Sequence, residues 1–158
     1  MWHDVGVATH PRGADTAVAP MLAVGEELWA ATYASSFSMS DDVMSMIIGD
    51  LGRKATRSAG MADAPPPLPG LAGTIYRGEV LVAVTNQRVV VFPYEGKRIS
   101  GPPTWYEPGA IVRASWSRAV LGAQKLELAF GDNTVASLGL PSSNHGKHVA
   151  KAAKRLLA

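Results

Sequence analysis

The stretch "VLVAVTNQRVVVF", residues Val80–Phe92, decides the fold, because it is the most sharply patterned part of the chain. Two apolar runs, 80–84 and 89–92, flank the polar residues 85–88. A strand with one face in water alternates apolar and polar residues, whereas these runs are apolar at every position. Asparagine tolerates the backbone of a tight turn, and threonine and arginine can satisfy free polar groups beside it. We therefore predict two strands, buried on both faces and joined by a structural turn made of Thr85, Asn86 and Arg88.

The two predicted strands must be covered on both faces. Their inner face suits the core, and their outer face needs either a second subunit or the apolar side of a helix farther upstream. That helix is predicted over residues 38–60, where Ser38 and Asp41 resemble a capping box and apolar residues recur at helical spacing. The apolar face consists of Met44, Ile48, Leu51 and Ala55, and the first three are its candidates for this cover. At the turn itself, Arg88 is expected to pair with Glu79 or Glu95.

Most of the remaining chain is predicted as short strands that one helix follows. The segment "GEELWAATYASSF" (25–37) alternates as a strand does, although its glutamates and alanines also suit a helix. "SSNHGKHVAKAAKRLLA" (142–158) has an apolar stripe opposite a row of cations, which predicts an amphipathic helix. Short strands separated by turns indicate an antiparallel sandwich or a small barrel. The predicted strands after residue 74 are Ile75–Val84, Val89–Tyr94, Ile111–Ser115, Lys125–Phe130 and Val135–Leu140.

Length and composition limit the classes of protein. The chain has 158 residues, of which 47% are hydrophobic, and this suits one domain with a buried core. Residues 1–20 carry prolines without periodicity and are predicted to form a flexible arm. Residues 21–158 are predicted to form a single domain, with a helical and proline-rich insert over residues 38–73. The absence of cysteine excludes disulfides, thiolate zinc sites and cysteine nucleophiles.

The sequence also bears on location and charge. No stretch reaches the roughly 18 apolar residues of a membrane span, and the first residues lack the pattern of a signal peptide. We therefore expect a cytoplasmic protein, and the alternative location is the membrane surface, with the protein attached peripherally. The net charge of +2 is too small to indicate a nucleic-acid partner.

Three segments together resemble a known family. "VLVAVTNQRVVVF" is similar to a recurring bacterial pattern in which an apolar strand ends in Thr, two polar residues and Arg before the next strand begins. "GEELWAA" (25–31) resembles the start of the first strand in the same families, and "LELAFGDNTVASLGL" (126–140) resembles their last hairpin. Apart from the insert, the chain from Gly25 to Leu157 thus resembles a bacterial pleckstrin-homology-like (PH-like) domain.

The resemblance implies a mainly β fold, a bent antiparallel barrel that the C-terminal amphipathic helix caps. It also implies a non-catalytic module that acts through protein contacts or self-association and needs no cofactor. Eukaryotic relatives that bind phosphoinositides carry clustered Lys and Arg on the first two strands and the loop between them. Here those strands offer only Arg77, and the insert adds Arg53, Lys54 and Arg57, which disfavours binding of a lipid head group at that place.

Two kinds of contact surface are predicted. For a protein partner or a second copy, the candidates are Met44, Ile48 and Leu51 of the insert helix, with Trp105 and Tyr106 of the loop "PPTWYEPG" (102–109). Loop packing is the other explanation of the two aromatic residues. The alternative function is peripheral binding to anionic membrane lipids, against a merely solvated basic surface. Its candidates are the cations Arg53, Lys54, Arg57, Arg77, Lys147, Lys151, Lys154 and Arg155.

The sequence offers no motif for catalysis or for a resident metal. It contains no G-x-S-x-G elbow, no P-loop and no G-x-G-x-x-G. His145 and His148 would share a helix face, as two metal ligands should, but a third ligand would have to come from His3 or His10. We therefore expect neither an enzyme nor a cofactor, and a hydrolase ranks third behind the two binding functions.

Overall fold

The structure is a computed structural model that describes residues 10–36, 70–118, 123–141 and 145–158. Within these ranges the chain is mainly β, as predicted, and the predicted insert helix lies outside them. The strands are β1 Leu28–Ser35, β2 Glu79–Thr85, β3 Val89–Glu95, β4 Arg98–Ile99, β5 Thr104–Tyr106, β6 Ile111–Arg118, β7 Gln124–Phe130 and β8 Val135–Leu140. The helices are α1 Ala14–Val18 and α2 His145–Leu157, and short 3₁₀ turns span Ala19–Met21, Gly70–Thr74 and Pro108–Ala110.

The strands form one antiparallel sheet in the order β4-β3-β2-β1-β8-β7-β6, and β5 also pairs with β3. The first strand therefore lies between the second strand and the last. β1 and β8 meet through one residue pair, Ser35 with Gly139. Among the described strands, β6 at one end of this order does not pair with β3, β4 or β5 at the other end. The sheet is thus open, and a closed barrel is not confirmed.

The stretch Val80–Phe92 forms most of β2, a turn and the start of β3, as predicted. All residues from Val80 to Thr85 are buried, and so are those from Val89 to Pro93. Because successive side chains of a strand point to opposite faces, both faces of this hairpin are covered. The ambiguous segment at 25–37 is a strand, since pairing with β2 from Leu28 to Ser35 outweighs the helix propensity of its alanines.

The inner face of the sheet packs on α2. The helix buries Val149, Ala150 and Ala153, and it contacts β1 and β2 on one side and β6 and β7 on the other. Its small side chains let the helix axis lie close to the strands. The largest fully buried side chains of this core come from β6 to β8, and they are Ile111, Leu126, Leu128, Phe130 and Leu138. The helix therefore joins the two halves of the sheet, which β1 and β8 barely connect.

A second apolar cluster covers the outer face of β1, β2 and β3. Its sheet residues are Ala31, Leu81, Ala83, Val90 and Phe92, and Ala14 and Val18 of α1 pack on them. This part of the chain was expected to belong to a flexible arm; instead, residues Ala14–Val18 form a short helix with two fully buried side chains. In the described ranges, the cover is therefore provided in cis by α1. The expected cover by Met44, Ile48 and Leu51 lies outside the described residues.

The chain returns to the sheet at a 3₁₀ turn, Gly70–Thr74, that binds the hairpin between β7 and β8. The backbone N–H of Leu71 donates to Oδ2 of Asp132 at 2.8 Å, and that of Ala72 donates to Oγ1 of Thr134 at 3.1 Å. Gly70 has a φ of 61°. A Cβ at this position would overlap the Asp132 carboxylate. The turn "GDN" (131–133) between β7 and β8 thus also binds the last residues of the insert.

Candidate functional site

Glu26 and Arg88 form the centre of the candidate site. Nε of Arg88 lies 2.8 Å from Oε2 of Glu26, and Nη2 lies 2.8 Å from Oε1, so the pair is bidentate. The Glu26 side chain is 0% exposed and that of Arg88 20%. The predicted partners Glu79 and Glu95 were wrong; the acid comes from the segment before β1, 62 residues away in sequence.

Thr85 completes the shell of donors around the carboxylate. Its hydroxyl donates to Oε2 of Glu26 at 2.7 Å, and it accepts from the backbone N–H groups of Gln87 and Arg88. The N–H of Ala23 donates to Oε1 at 2.9 Å. Hydrogen bonds from the Arg88 guanidinium outweigh the opposing effect of burial and lower the pKa of Glu26 from 4.5 to about 2. The carboxylate therefore stays charged at neutral pH.

Asn86 ties the turn to the backbone that leads into β1. Its N–H donates to the carbonyl of Glu27, and its Oδ1 accepts from the N–H of Glu27 at 2.9 Å. Its Nδ2 donates to the carbonyl of Gly25 at 3.1 Å. The predicted structural turn thus also acts as a clamp, since every polar group of the Asn86 side chain holds the segment that carries Glu26.

Trp105 lies on the other side of Arg88. The guanidinium carbon is 3.7 Å from the centre of an indole ring, which is a close cation–π contact. Trp105 is paired with Val90 through β5 and is 43% exposed. We call Glu26, Thr85, Asn86, Arg88 and Trp105 the corner cluster. The Trp105 ring is restrained in two ways. Its backbone is paired with β3, and the Arg88 guanidinium stacked on it is held by Glu26.

Exposed apolar residues lie on the loop that the corner cluster holds. Met21 is exposed and Val24 is fully exposed, on either side of Ala23, whose N–H bonds Glu26. Contacts therefore run from this loop through Glu26 and Arg88 to Trp105. Arrangements of this kind, in which an aromatic and an arginine are held rigidly beside apolar side chains, are typical of protein-contact surfaces.

Tyr106, predicted as a contact residue together with Trp105, belongs to the core. It is buried, its hydroxyl lies 2.6 Å from Oγ1 of Thr74, and its ring packs on Phe130 at 5.1 Å between centroids. Burial raises the pKa of the Tyr106 hydroxyl. Neighbouring residues of a strand point to opposite faces, so exposure of Trp105 places Tyr106 inside.

The predicted cations of the C-terminal helix form a row on its exposed side. Lys147, Lys151, Lys154 and Arg155 are all exposed. A half-buried tryptophan flanks the row at each end. The Arg155 guanidinium lies 4.0 Å from the ring of Trp29. At the other end, Nζ of Lys147 lies 5.6 Å from Trp116, and the Arg118 guanidinium 5.8 Å from it.

The other predicted cations are not part of this row. Arg77 is half-buried in the connection that precedes β2. Arg53, Lys54 and Arg57 lie outside the described residues. Within the described ranges, the two ion pairs join Arg88 to Glu26 and Lys125 to Glu127, so neither involves the cations of α2.

His145 and His148 open α2. Burial lowers the pKa of His145, and the proximity of His148 and His10 lowers it further. His10 therefore lies near the start of the helix. However, the described residues contain no group of three His, Cys, Asp or Glu side chains with the arrangement that a metal ion needs.

Several residues of these surfaces escaped the sequence analysis. Glu26 stands beside Glu27, and nothing in the pattern distinguishes the buried acid from the exposed one. Trp29 and Trp116 alternate with core residues on their strands, which gave no reason to connect them with α2. These contacts depend on tertiary proximity, and local periodicity contains no signal for it.

The comparisons with known proteins assign no family. In the part of the chain that the structure describes, no helix combines the length and the hydrophobicity that a membrane crossing requires. No protein-family model matches the chain, and no curated protein matches its sequence significantly, so its candidate functions rest on its own residues.

Proposed function

We propose that the protein is a non-catalytic PH-like binding module of bacterial type that works in the cytoplasm through contacts with a protein, either a partner or a second copy. The strand order supports the fold, because β1 lies between β2 and β8 and one C-terminal helix packs on the inner face. The resemblance of the three sequence segments implies a bent antiparallel barrel with one terminal helix. That the sheet is bent and that the chain belongs to the PH-like family are parts of this proposal.

The observation that carries the proposal is the fixed position of Trp105. Arg88 stacks on its ring at 3.7 Å and is itself held by two hydrogen bonds to Glu26. An exposed side chain loses rotamer freedom when a partner buries it, and that entropy opposes binding by about 0.5–1.5 kcal/mol for each side chain. Because Trp105 is already restrained, a partner that buries it encounters less of this cost. Tryptophan and arginine are also the residues most often found at the energetic centres of interfaces.

A photocrosslinking experiment tests this function. A photoreactive phenylalanine replaces the fully exposed Val24 beside the corner cluster, and in a control it replaces the exposed Val112 on β6. We expect a protein adduct from position 24, either a dimer of the chain or a heteroadduct that mass spectrometry identifies, and none from position 112.

Matched variants connect the adduct to Trp105. Trp105→Ala should remove the adduct, whereas Tyr76→Ala should preserve it, since Tyr76 is an aromatic of the same 43% exposure on another segment. An adduct that persists in the Trp105→Ala variant would contradict the proposal. Light scattering on the wild-type protein then distinguishes a second copy from another partner.

The second candidate function is peripheral binding to anionic membrane lipids, and α2 is the observation that favours it. Its row of four cations has no described acidic partner, and half-buried tryptophans lie at both of its ends. Tryptophan is common where proteins meet the membrane interface, and each cation close to an anionic bilayer contributes about 1 kcal/mol.

Vesicle flotation decides between the two functions. The double variant Lys151→Glu/Lys154→Glu and the double variant Lys97→Glu/Arg98→Glu change the net charge equally, and all four residues are exposed. If α2 binds membranes, only the first variant should lose flotation with vesicles that contain phosphatidylserine. Equal losses would indicate a response to net charge, and the membrane function would then be rejected.

A further inference from the structure

The strand β6 forms a long edge at one end of the sheet. It spans eight residues, Ile111–Arg118, and within the described strands it pairs with β7 alone. At the other end of the strand order, β4 has two residues and β5 has three. Natural sheets often keep their edge strands short, because the unpaired N–H and C=O groups of a long edge can bind another chain. Among the described strands, β6 is therefore the end strand with room for a further strand.

The hydrogen bonds of the last hairpin show which backbone groups of β6 point outwards. The N–H of Phe130 donates to the carbonyl of Thr134 at 2.8 Å, so Phe130 bonds towards β8. The direction of bonding alternates along an antiparallel strand, and the next residues of β7 in this alternation therefore bond towards β6. The β6 residues opposite them are Arg113, Ser115 and Ser117. The residues of β6 whose N–H and C=O groups point away from β7 are thus Ala114, Trp116 and Arg118.

This edge is basic. β6 carries Arg113 and Arg118, which are both exposed, and it contains no acidic residue. From α2, Nζ of Lys147 lies 5.6 Å from the centre of the Trp116 ring. The two described ion pairs involve none of these three cations. Because Arg113 and Arg118 point to opposite faces of the sheet, a strand added here meets positive charge on both of its faces.

The side chain of Trp116 is held in place beside these cations. Its Nε1 donates to Oε1 of Gln124 at 3.1 Å, and Gln124 is only 5% exposed. The guanidinium carbon of Arg118 lies 5.8 Å from the centre of the same ring. Trp116 packs against the core that α2 covers. On that face, a side chain of an added strand meets an aromatic ring in a fixed orientation and two cations.

A second copy of β6 is a poor partner for this edge. Pairing of two β6 strands brings the same arginines to the junction without an acid to neutralise them, and like charges across a strand pair are destabilising. Charged side chains on an edge are a common protection against such self-pairing. The same cations favour a strand of opposite charge, so they reject one partner and select another.

We propose that the β6 edge is a docking site for an extended acidic segment of another protein, which adds to the sheet as an antiparallel strand. Its backbone bonds to Ala114, Trp116 and Arg118, and its acidic side chains, opposite Arg118 and Arg113, fix the register. The bulge before Arg113 limits the regular site to residues 113–118. The site lies at the far end of the strand order from β3 and β5, so it does not depend on the function proposed for Trp105.

Synthetic peptides test the site on the full-length chain. The probe is a fluorescently labelled hexapeptide with blocked ends, in which four alternating threonines and valines separate two terminal glutamates. Added antiparallel, it places one glutamate opposite Arg118 and the other opposite Arg113. One control peptide has its glutamates at the second and fourth positions, and another has lysines in place of the glutamates. By fluorescence anisotropy, the probe should bind at least about tenfold more tightly than either control. Absent binding, or equal binding of the three peptides, would refute the site.

Charge-reversal variants locate the binding on β6. Arg118→Glu should weaken binding of the probe at least about tenfold, and Arg113→Glu is the second variant with the same expectation. Arg98→Glu makes the same change of charge at an exposed position of β4 and is the matched control. Because all three arginines are exposed, we expect thermal unfolding to stay cooperative in each variant. Equal losses in the three variants would indicate a response to net charge and would contradict the proposal.

Backbone methylation distinguishes an added strand from a contact between charges. N-methyl groups on the third and fifth residues of the probe remove the donors that face Trp116 and Ala114, and they should abolish binding. N-methyl groups on the second and fourth residues, which point away from β6, should preserve it. Equal behaviour of the two methylated probes would rule out strand addition. If light scattering shows a wild-type dimer that the probe dissociates, a second copy occupies the edge and the proposed partner is wrong.

Discussion

A buried carboxylate is tolerated only where donors surround it, and Glu26 has four. They are Nε and Nη2 of Arg88, the hydroxyl of Thr85 and the N–H of Ala23. The sequence showed that residues 85–88 form a turn, since their polarity and conformational preferences are local properties. It could not show which acid Arg88 meets, because that contact joins two segments 62 residues apart. At the scale of single residues, roles set by neighbours in the chain were predictable, whereas roles set by tertiary proximity were not.

Removal of Arg88 should destabilise the protein strongly. Arg88→Ala leaves the Glu26 carboxylate buried without its counter-charge, and loss of one partner of such a pair costs about 3–5 kcal/mol. Urea denaturation measures the change in the free energy of unfolding. Glu79→Gln and Glu95→Gln serve as controls, because both acids are exposed and should change it by less than about 0.5 kcal/mol. A loss below about 1 kcal/mol for Arg88→Ala would show that the pair is dispensable.

Glu26 should also make stability depend on pH in the acidic range. Its pKa is about 2 in the folded protein and has an ordinary value of 4.5. The unfolded chain therefore binds the proton more readily, so the stabilisation is complete above pH 4.5 and is lost as the pH falls towards 2. The shift corresponds to roughly 3 kcal/mol. Urea midpoints measured across this range should fall less steeply for Glu26→Gln than for the wild-type chain, and parallel curves would contradict the assignment.

Among the elements, the strands of the hairpin were predicted correctly because two apolar runs flank a polar turn, and the final helix because its apolar stripe repeats at helical spacing. The main wrong prediction for the elements was that residues 14–18 belong to a flexible arm. Residues 14–18 have no pattern that an isolated stretch would need for a helix, and they are helical because Ala14 and Val18 find an apolar face to pack on. The 3₁₀ turn Gly70–Thr74 was also missed, since its geometry depends on Asp132 and Thr134 of another element.

Two glycines allow the attachment of this turn to be measured. Gly70 and Gly96 have the same φ of 61°, but a Cβ at Gly70 would overlap the Asp132 side chain, whereas a Cβ at Gly96 has open space around it. Gly96→Ala should cost about 1 kcal/mol of unfolding free energy through backbone strain alone. Gly70→Ala should cost more, and the difference reports the lost contact with the hairpin. Equal melting temperatures for the two variants would show that the turn does not depend on this contact.

At the scale of the whole molecule, the mainly β class and the terminal helix followed from the sequence, whereas the open sheet did not. Closure depends on how far the end strands lie apart, and strand patterns contain no such distance. In the structure the two halves share one strand pair, Ser35 with Gly139, and they also meet through α2 and through the packing of Tyr106 on Phe130. Because α2 packs on both halves, we expect it to help couple them into one cooperative unit.

Tryptophans in each half can report this coupling. Trp29 lies on β1 and Trp116 on β6, so variants that keep only one of them, with the other tryptophans changed to Phe, follow the two halves separately. We expect the same urea midpoint from both reporters. Val149→Ala, at a fully buried position of α2, should lower both midpoints together and cost about 2 kcal/mol. Two separate transitions would show that the halves fold independently.

The position of α2 after every strand of the sheet has a consequence for folding during synthesis. The ribosome makes α2 after every strand of the sheet, at about 5–20 residues per second. Until that helix emerges, the nascent chain holds a hairpin whose inner face, including Val82 and Val91, lacks the layer that α2 supplies. The order of translation therefore makes completion of this core a late event in folding, because the inner face of the hairpin stays without that layer until α2 has been made.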